Sequence, residues 1–351
     1  MKTLRIWFGC SFGLAVSMTM GWDLGFLAIL LPLFVLSISD SLNLPLLLII
    51  FVSAIWSIIQ ANVLWGVLGS YPLILLTAVA VMFLFKCIAM TKKQTFIVGY
   101  MGLIVVSILL HLSSYDFIDV EQISITIGVY CLLNIVICSI AYWLFPAPIC
   151  DEQYQQRQEV HQQQQDQQKQ PTNNLKGEVE LPIQYDVTQI MVIWVVVMLS
   201  FIVFQVVDLY DSSAAYASIL VILAPLTCAG AVDMAKVRVI GTAAGCAAGL
   251  GVQLTLGQWY ANAFLYWLLF TIAMGPFCYW HTQGKLKSAL ASSAMASLTV
   301  PLTTVLIPGE QDAFFSILYR FSSIFIAVVI SALFILLMQK ILEYKVVNRA
   351  V

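Results

Sequence analysis

Twelve runs of mostly apolar residues punctuate this chain, most of them close to the length that crosses a bilayer, and nearly every charge lies between them. A spanning helix needs about 20 predominantly apolar residues. The runs cover residues 4–20, 24–38, 44–60, 71–90, 95–112 and 122–144, then 188–207, 214–230, 237–256, 260–280, 286–306 and 314–340. Only 10% of residues are charged and 61% are apolar, whereas soluble domains carry about 25% and 45–50%. Lipid, not water, is therefore the main solvent, and a soluble globular fold is excluded. The expected fold is all-α, a polytopic membrane protein of about twelve transmembrane helices. Lys2 and Arg5 before the first run imitate a signal peptide, but residues 17–23 offer no small-x-small cleavage site. The run is read as a retained first span.

Lys and Arg in short connections stay cytoplasmic. With the N-terminus inside, 15 of the 16 fall at the cytoplasmic face, and Arg320 is the exception. The opposite face collects Asp23, Asp116, Asp119, Glu121, Asp208, Asp211, Glu310 and Asp312. This predicts an even number of spans with both termini cytoplasmic. Net charge is −2 and no basic cluster is dense enough to neutralise a phosphate backbone, so nucleic acid is not an expected partner. The eight cysteines form no disulfide framework; seven lie in or at the ends of apolar runs and read as small core residues.

A shift of 193 residues aligns LAILLPLFVLSISD (27–40) with LVILAPLTCAGAVD (220–233), six identities in fourteen positions. The same shift pairs Lys92 with Lys285 and Asp119 with Asp312. Two parallel six-helix repeats, related by an axis along the membrane normal, are the expected organisation. Residues 1–144 form the first repeat, 145–187 a cytoplasmic linker, 188–344 the second repeat and 345–351 a cytoplasmic tail. Eleven of the eighteen residues from 153 to 170 are glutamine, a composition that cannot bury enough apolar surface to offset its ordering entropy. The linker is expected to be flexible, or to dock a partner through a short helix.

No phosphate loop, metal-ligand spacing or nucleophile–base pair is present, and His111, His161 and His281 are far apart. Neither an enzyme nor a bound metal or cofactor is expected. The most informative stretch runs from 225 to 249. Pro225 interrupts a span, Asp233, Lys236 and Arg238 crowd what reads as a short cytoplasmic turn, and Gly241, Gly245 and Gly249 repeat every four residues. Such glycines give a helix a face without side chains for close packing. The ionisable groups either pair with one another and set topology or meet a solute entering from the cytoplasm.

The segment R-V-I-G-T-A-A-G-C-A-A-G (238–249) resembles the fusaric acid resistance and aromatic acid exporter superfamily of bacterial inner-membrane proteins. With two six-helix halves and no large soluble domain, the chain looks most like a compact subfamily known only as a domain of unknown function. The resemblance implies efflux of aromatic carboxylates or related small organic anions, often beside a periplasmic adaptor of the membrane-fusion type. It departs from a symmetric pattern in the first half, where Arg238, Gly241 and Gly245 correspond to Pro45, Leu48 and Val52. Any site is then asymmetric.

Asp40 and Asp233, repeat mates at the inner ends of their spans, either cap helices or relay protons. Asp23, Asp208 and Asp211 are expected in external solvent, where they also face periplasmic protons. Arg320 either pairs with Glu310 or Asp312 or attracts an anion. Lys86 is expected to snorkel to the cytoplasmic surface, and His281 either does likewise or titrates near neutral pH. Trp22, Trp56, Trp65, Trp143, Trp259 and Trp280 read as interfacial anchors. Together these features predict a translocating subunit for small aromatic or amphipathic anions, driven by the proton gradient, with Pro225, Asp233, Lys236, Arg238, Asp40 and Arg320 as site candidates. A non-transporting scaffold and a passive anion channel are the alternatives, and the glycine faces serve equally to join the halves or two protomers of a homo-oligomer.

Overall fold

A computed structural model describes residues 1–21, 24–115, 118–146, 187–207, 213–256, 262–304 and 313–350. The glutamine tract and six of the acids expected outside (Asp23, Asp116, Asp208, Asp211, Glu310 and Asp312) lie outside the described residues, as does the side chain of Arg320. The described residues form twelve α-helices and no strand. These are α1 (Lys2–Met20), α2 (Leu27–Ile38), α3 (Leu44–Leu68), α4 (Pro72–Met90), α5 (Phe96–Ser113) and α6 (Val120–Leu144) in the first half. The second half holds α7 (Val187–Val206), α8 (Ser213–Ile222), α9 (Cys228–Leu256), α10 (Ala263–His281), α11 (Lys285–Thr304) and α12 (Ala313–Ala350). Eight of these contain a stretch long and apolar enough to cross a membrane. At 12 and 10 residues, α2 and α8 are too short to span a bilayer core of about 30 Å alone.

Local chemistry sets the ends. Asn43, Asp119 and Asn262 each accept the backbone N–H three residues on, at 3.0, 3.0 and 3.1 Å, opening α3, α6 and α10. Gly21 closes α1 at φ 61°. One boundary differs from expectation. The helix expected over 214–230 stops at Ile222, and residues 228–236, read as the approach to a turn, are the first turns of α9. The charges of Asp233, Lys236 and Arg238 suggested a connection, but with Met, Ala and Val between them nothing breaks a helix.

Several pairs of packed helices recur at the 193-residue shift. In the first half α3 packs on α5 and α6, α4 on α5, and α2 on α6; in the second α9 packs on α11 and α12, α10 on α11, and α8 on α12. Across the halves α1 meets α10 as α4 meets α7, and α2 meets α11 as α5 meets α8. Neither half has a core of its own. One buried cluster joins α3, α4 and α5 to α7, α8, α12 and the start of α9, while the other joins α1, α2 and α6 to α10, α11 and the end of α9. Because lipid tails are as apolar as the helices, close packing and hydrogen bonds must hold such a bundle. The seams supply them: the Trp7 indole donates to the Thr271 carbonyl (2.7 Å), Trp267 to Ser11 (2.8 Å) and Trp194 to Ala80 (2.8 Å). Large apolar side chains such as Leu73, Phe85 and Leu254 face outward, where only lipid would solvate them. Membrane lipid is thus the chain's surrounding partner.

Candidate functional site

Between α8 and α9 the backbone leaves helical geometry over residues 223–227. Pro225 has no N–H to donate, and Leu226 adopts φ 55°, a conformation rare for a side chain of its size. Leu223 and Leu226 are nonetheless fully buried. The Thr227 hydroxyl then accepts the Gly230 N–H at 3.2 Å to open α9, and a Cβ at Gly230 would stand 2.8 Å from that of Pro225. Irregular backbone at membrane depth is tolerated only where protein buries it or a cavity receives it. Pro225 therefore sits in a genuine interruption.

Arg238 reaches across this region from α9. Its Nε and Nη2 donate to the Ser218 hydroxyl of α8 at 3.2 and 2.9 Å, and Nη1 donates to the Ser293 hydroxyl of α11 at 3.3 Å. Ser293 in turn donates to the Arg238 carbonyl at 3.2 Å. The Tyr100 hydroxyl of α5, from the other half, lies within electrostatic reach of the guanidinium. Tyr100 stacks on Phe96 (centroids 5.7 Å apart) and approaches Phe34 of α2 (6.5 Å). A cation held by two serine hydroxyls, with the Tyr100 hydroxyl within electrostatic reach, thus sits where α5, α8, α9 and α11 converge.

The glycines place it. A Cβ at Gly241 would stand 2.5 Å from that of Ser293, and one at Gly245 would overlap the Ala294 backbone. Their absence lets α9 and α11 close until Ser297 bonds Thr242 at 3.1 Å and Ser293 comes within reach of the guanidinium. Gly249 is buried further along the same helix.

The other expected residues are not brought to this site. Asp233 and Lys236 are exposed and pair with each other at 3.0 Å; Asp40 is exposed and pairs with Lys2 at 2.7 Å. Neither acid caps a helix, since Asn43 and Thr227 do so. The four carboxylates whose side chains are described, Asp40, Asp119, Glu121 and Asp233, are exposed, so none of them accompanies the cations drawn into the bundle. Arg5 is one of these. It donates to the carbonyls of Asp40 (2.6 Å) and Phe145 (3.2 Å) and lies 4.5 Å over the Tyr142 ring, tying α1 to the ends of α2 and α6. Lys86, expected to snorkel, is instead buried against α5. His281 is also buried, its Nε2 bonded to the Ser288 hydroxyl at 3.1 Å. No cluster among the described residues has the donors to hold a metal.

Sequence reasoning missed Ser218, Ser293 and Tyr100. A signal for two of them existed: Tyr100 and Ser293 stand 193 residues apart, so the repeat itself places them at corresponding points of α5 and α11. Also missed was a cavity of about 370 Å³ between α7, α8 and α12, lined by Val203, Phe204, Ile219, Ser323, Ala327 and Ile330. Ile330 is 60% exposed on its lipid side. Adjacent residues of α8 therefore serve both places, Ile219 the cavity and Ser218 the guanidinium.

Residues 2–141 match the family described as protein of unknown function (DUF2955). The match covers the first half and ends before 238–249, the stretch that resembles the exporter superfamily. No curated protein and no solved structure matches the chain. Together with the apolar helices, these observations describe a polytopic membrane protein.

Proposed function

We propose that this chain is the translocating subunit of an efflux system for small aromatic or amphipathic organic anions, with Arg238 as the residue that receives the anion. One observation carries the reading: a guanidinium between helices whose described polar neighbours are the hydroxyls of Ser218, Ser293 and Tyr100 and the Cys246 thiol, with no carboxylate among them. A structural arginine at membrane depth pairs with an acid or with backbone carbonyls, as Arg5 does, whereas one held by hydroxyls keeps its charge available. The interrupted segment at Pro225 supports the same reading, because transporters build solute sites from broken helices at the junction of repeats. The cavity beside α8 suits the apolar part of an amphipathic solute.

The inner membrane with both termini cytoplasmic, the two-repeat organisation and coupling to the proton gradient belong to this proposal. Asp40 and Asp233 are exposed and ion-paired, so the proton-coupling acids are sought among the residues expected on the periplasmic face, Asp23, Asp208 and Asp211 among them. The test is export of labelled aromatic acids from cells lacking or producing the protein, with and without a protonophore. Arg238→Ala should abolish protonophore-sensitive export at wild-type abundance, and Arg238→Lys should retain part of it. Undiminished export by Arg238→Ala would remove the anion site from this position, and protonophore-insensitive export would leave a passive channel.

A further inference from the structure

Lys86 stands four residues before the end of α4 at Met90 and is 8% exposed. Its stem lies across α5 at Gly102, where a Cβ would come within 3.0 Å of Cδ and Cε and 2.5 Å of Nζ. At Gly99 a Cβ would stand 2.8 Å from the Lys86 carbonyl. The two glycines thus form a recess that exists only because neither carries a side chain. Neither ion pair among the described residues involves Lys86, and the four carboxylates whose side chains are described are exposed. An ammonium at this depth is costly without an anion, and the described protein supplies none.

Lys86 also borders a cavity of about 640 Å³ along α4, walled by Ile74, Val81, Met82 and Phe85 and, from α3, by Gln60. Ile74, Val81 and Phe85 are 55%, 48% and 66% exposed, so this cavity opens on lipid. Four residues of helix place Lys86 about 6 Å along the axis from the end of α4, near the depth where acyl chains meet headgroups. Exposed Lys92 and Lys93 come just beyond that end.

We propose that the groove between α3 and α4 binds an acidic phospholipid of the cytoplasmic leaflet. Lys86 meets its phosphate from below, Lys92 and Lys93 face the headgroup from the water side, and an acyl chain lies along Val81, Met82 and Phe85. Charge complementarity selects the occupant. A buried cation, a lipid-facing apolar groove and two further cations at the headgroup level match an anion that carries its own hydrocarbon. The 193-residue shift does not reproduce the site, since the positions corresponding to Lys86, Gly99 and Gly102 hold Tyr279, Ser292 and Met295.

The experiment is native mass spectrometry of the full chain with phosphatidylglycerol and phosphatidylcholine in competition, with folding checked by circular dichroism. The wild type should retain phosphatidylglycerol preferentially, Lys86→Gln should lose about five- to ten-fold of that preference, and Lys86→Arg should keep it. Gly102→Ala keeps every charge but fills the recess and should lower the preference in the same direction, so the proposal stays testable if Lys86→Gln does not fold. Unchanged preference in either folded variant would overturn the site. Displacement of the lipid by millimolar inorganic phosphate would also overturn it, in favour of a soluble anion.

Discussion

Pro32 and Pro225 stand 193 residues apart within the aligned stretches of the two halves, yet α2 runs through Pro32 to Ile38, whereas α8 has already ended when the chain reaches Pro225. Each proline lacks the N–H that would bind the carbonyl four residues back. In α2 that carbonyl belongs to Ala28 and lies against Gly13 of α1, so closely that a Cβ there would overlap it. Six strongly apolar or helix-compatible residues then carry the helix on. After Pro225 comes Thr227, whose hydroxyl starts a new helix, and then Gly230, which lets the chain fold back on the proline. The first half therefore turns in the open, at exposed residues 40–43, and the second at buried Leu223 and Leu226. The residues just after a proline decide where the chain breaks, and in the second half they move the break out of water and into protein.

The largest expected effect tests the seam beside the buried break. Gly245→Val drives a side chain into the Ala294 backbone and should cost on the order of 3 kcal/mol or more, read as loss of monodisperse protein in detergent. Its mate Val52 is 60% exposed, and Val52→Gly should cost only about 1 kcal/mol. Equal losses would mean the two seams are alike after all.

Next come the prolines. Pro225→Ala should let α8 and α9 extend toward one another and lower export about ten-fold, equivalent to about 1.4 kcal/mol. Pro32→Ala should leave export within about two-fold of wild type. If both were silent, the buried break would be an accident of packing.

Within the site, Ser218→Ala removes two hydrogen bonds from the guanidinium and Ser293→Ala one, and each should raise KM for an exported acid about ten-fold. A fall in abundance with KM unchanged would make those hydroxyls structural supports only. Smallest of all, Asp40→Asn and Asp233→Asn remove exposed ion pairs worth less than about 1 kcal/mol. Both should melt and export like wild type, and a strong defect in either would return those acids to the transport route.

The span that became α4 was legible to within a residue, because Pro72 opens it and polar residues close it. The start of α9 was not. A charged cluster reads as a connection, and only the tertiary burial of one face shows that Asp233 and Lys236 leave the bundle while Arg238 enters it. Pro225 was visible as an interruption, but its depth was not, since depth depends on Leu223 and Leu226 finding partners in other helices. Lys86 was misread for the same reason, because its recess is built by glycines on α5 that no local pattern on α4 announces. The hydroxyl shell of Arg238 comes from three helices in two halves, and only its Tyr100–Ser293 correspondence left a trace in the sequence.

The sign of the buried charges has an electrical meaning. Arg5 and Lys86 are buried and Arg238 is half-buried between helices, while the four carboxylates whose side chains are described are exposed. In a cell whose inside is negative, an organic monoanion leaving through such a bundle travels with the membrane voltage and gains about 2.3 kcal/mol per 100 mV. A sodium or potassium ion entering along the same route would meet fixed positive charge. For the export proposed above, the resting voltage would help expel anions while the fixed positive charge would oppose a leak of the cations that maintain it.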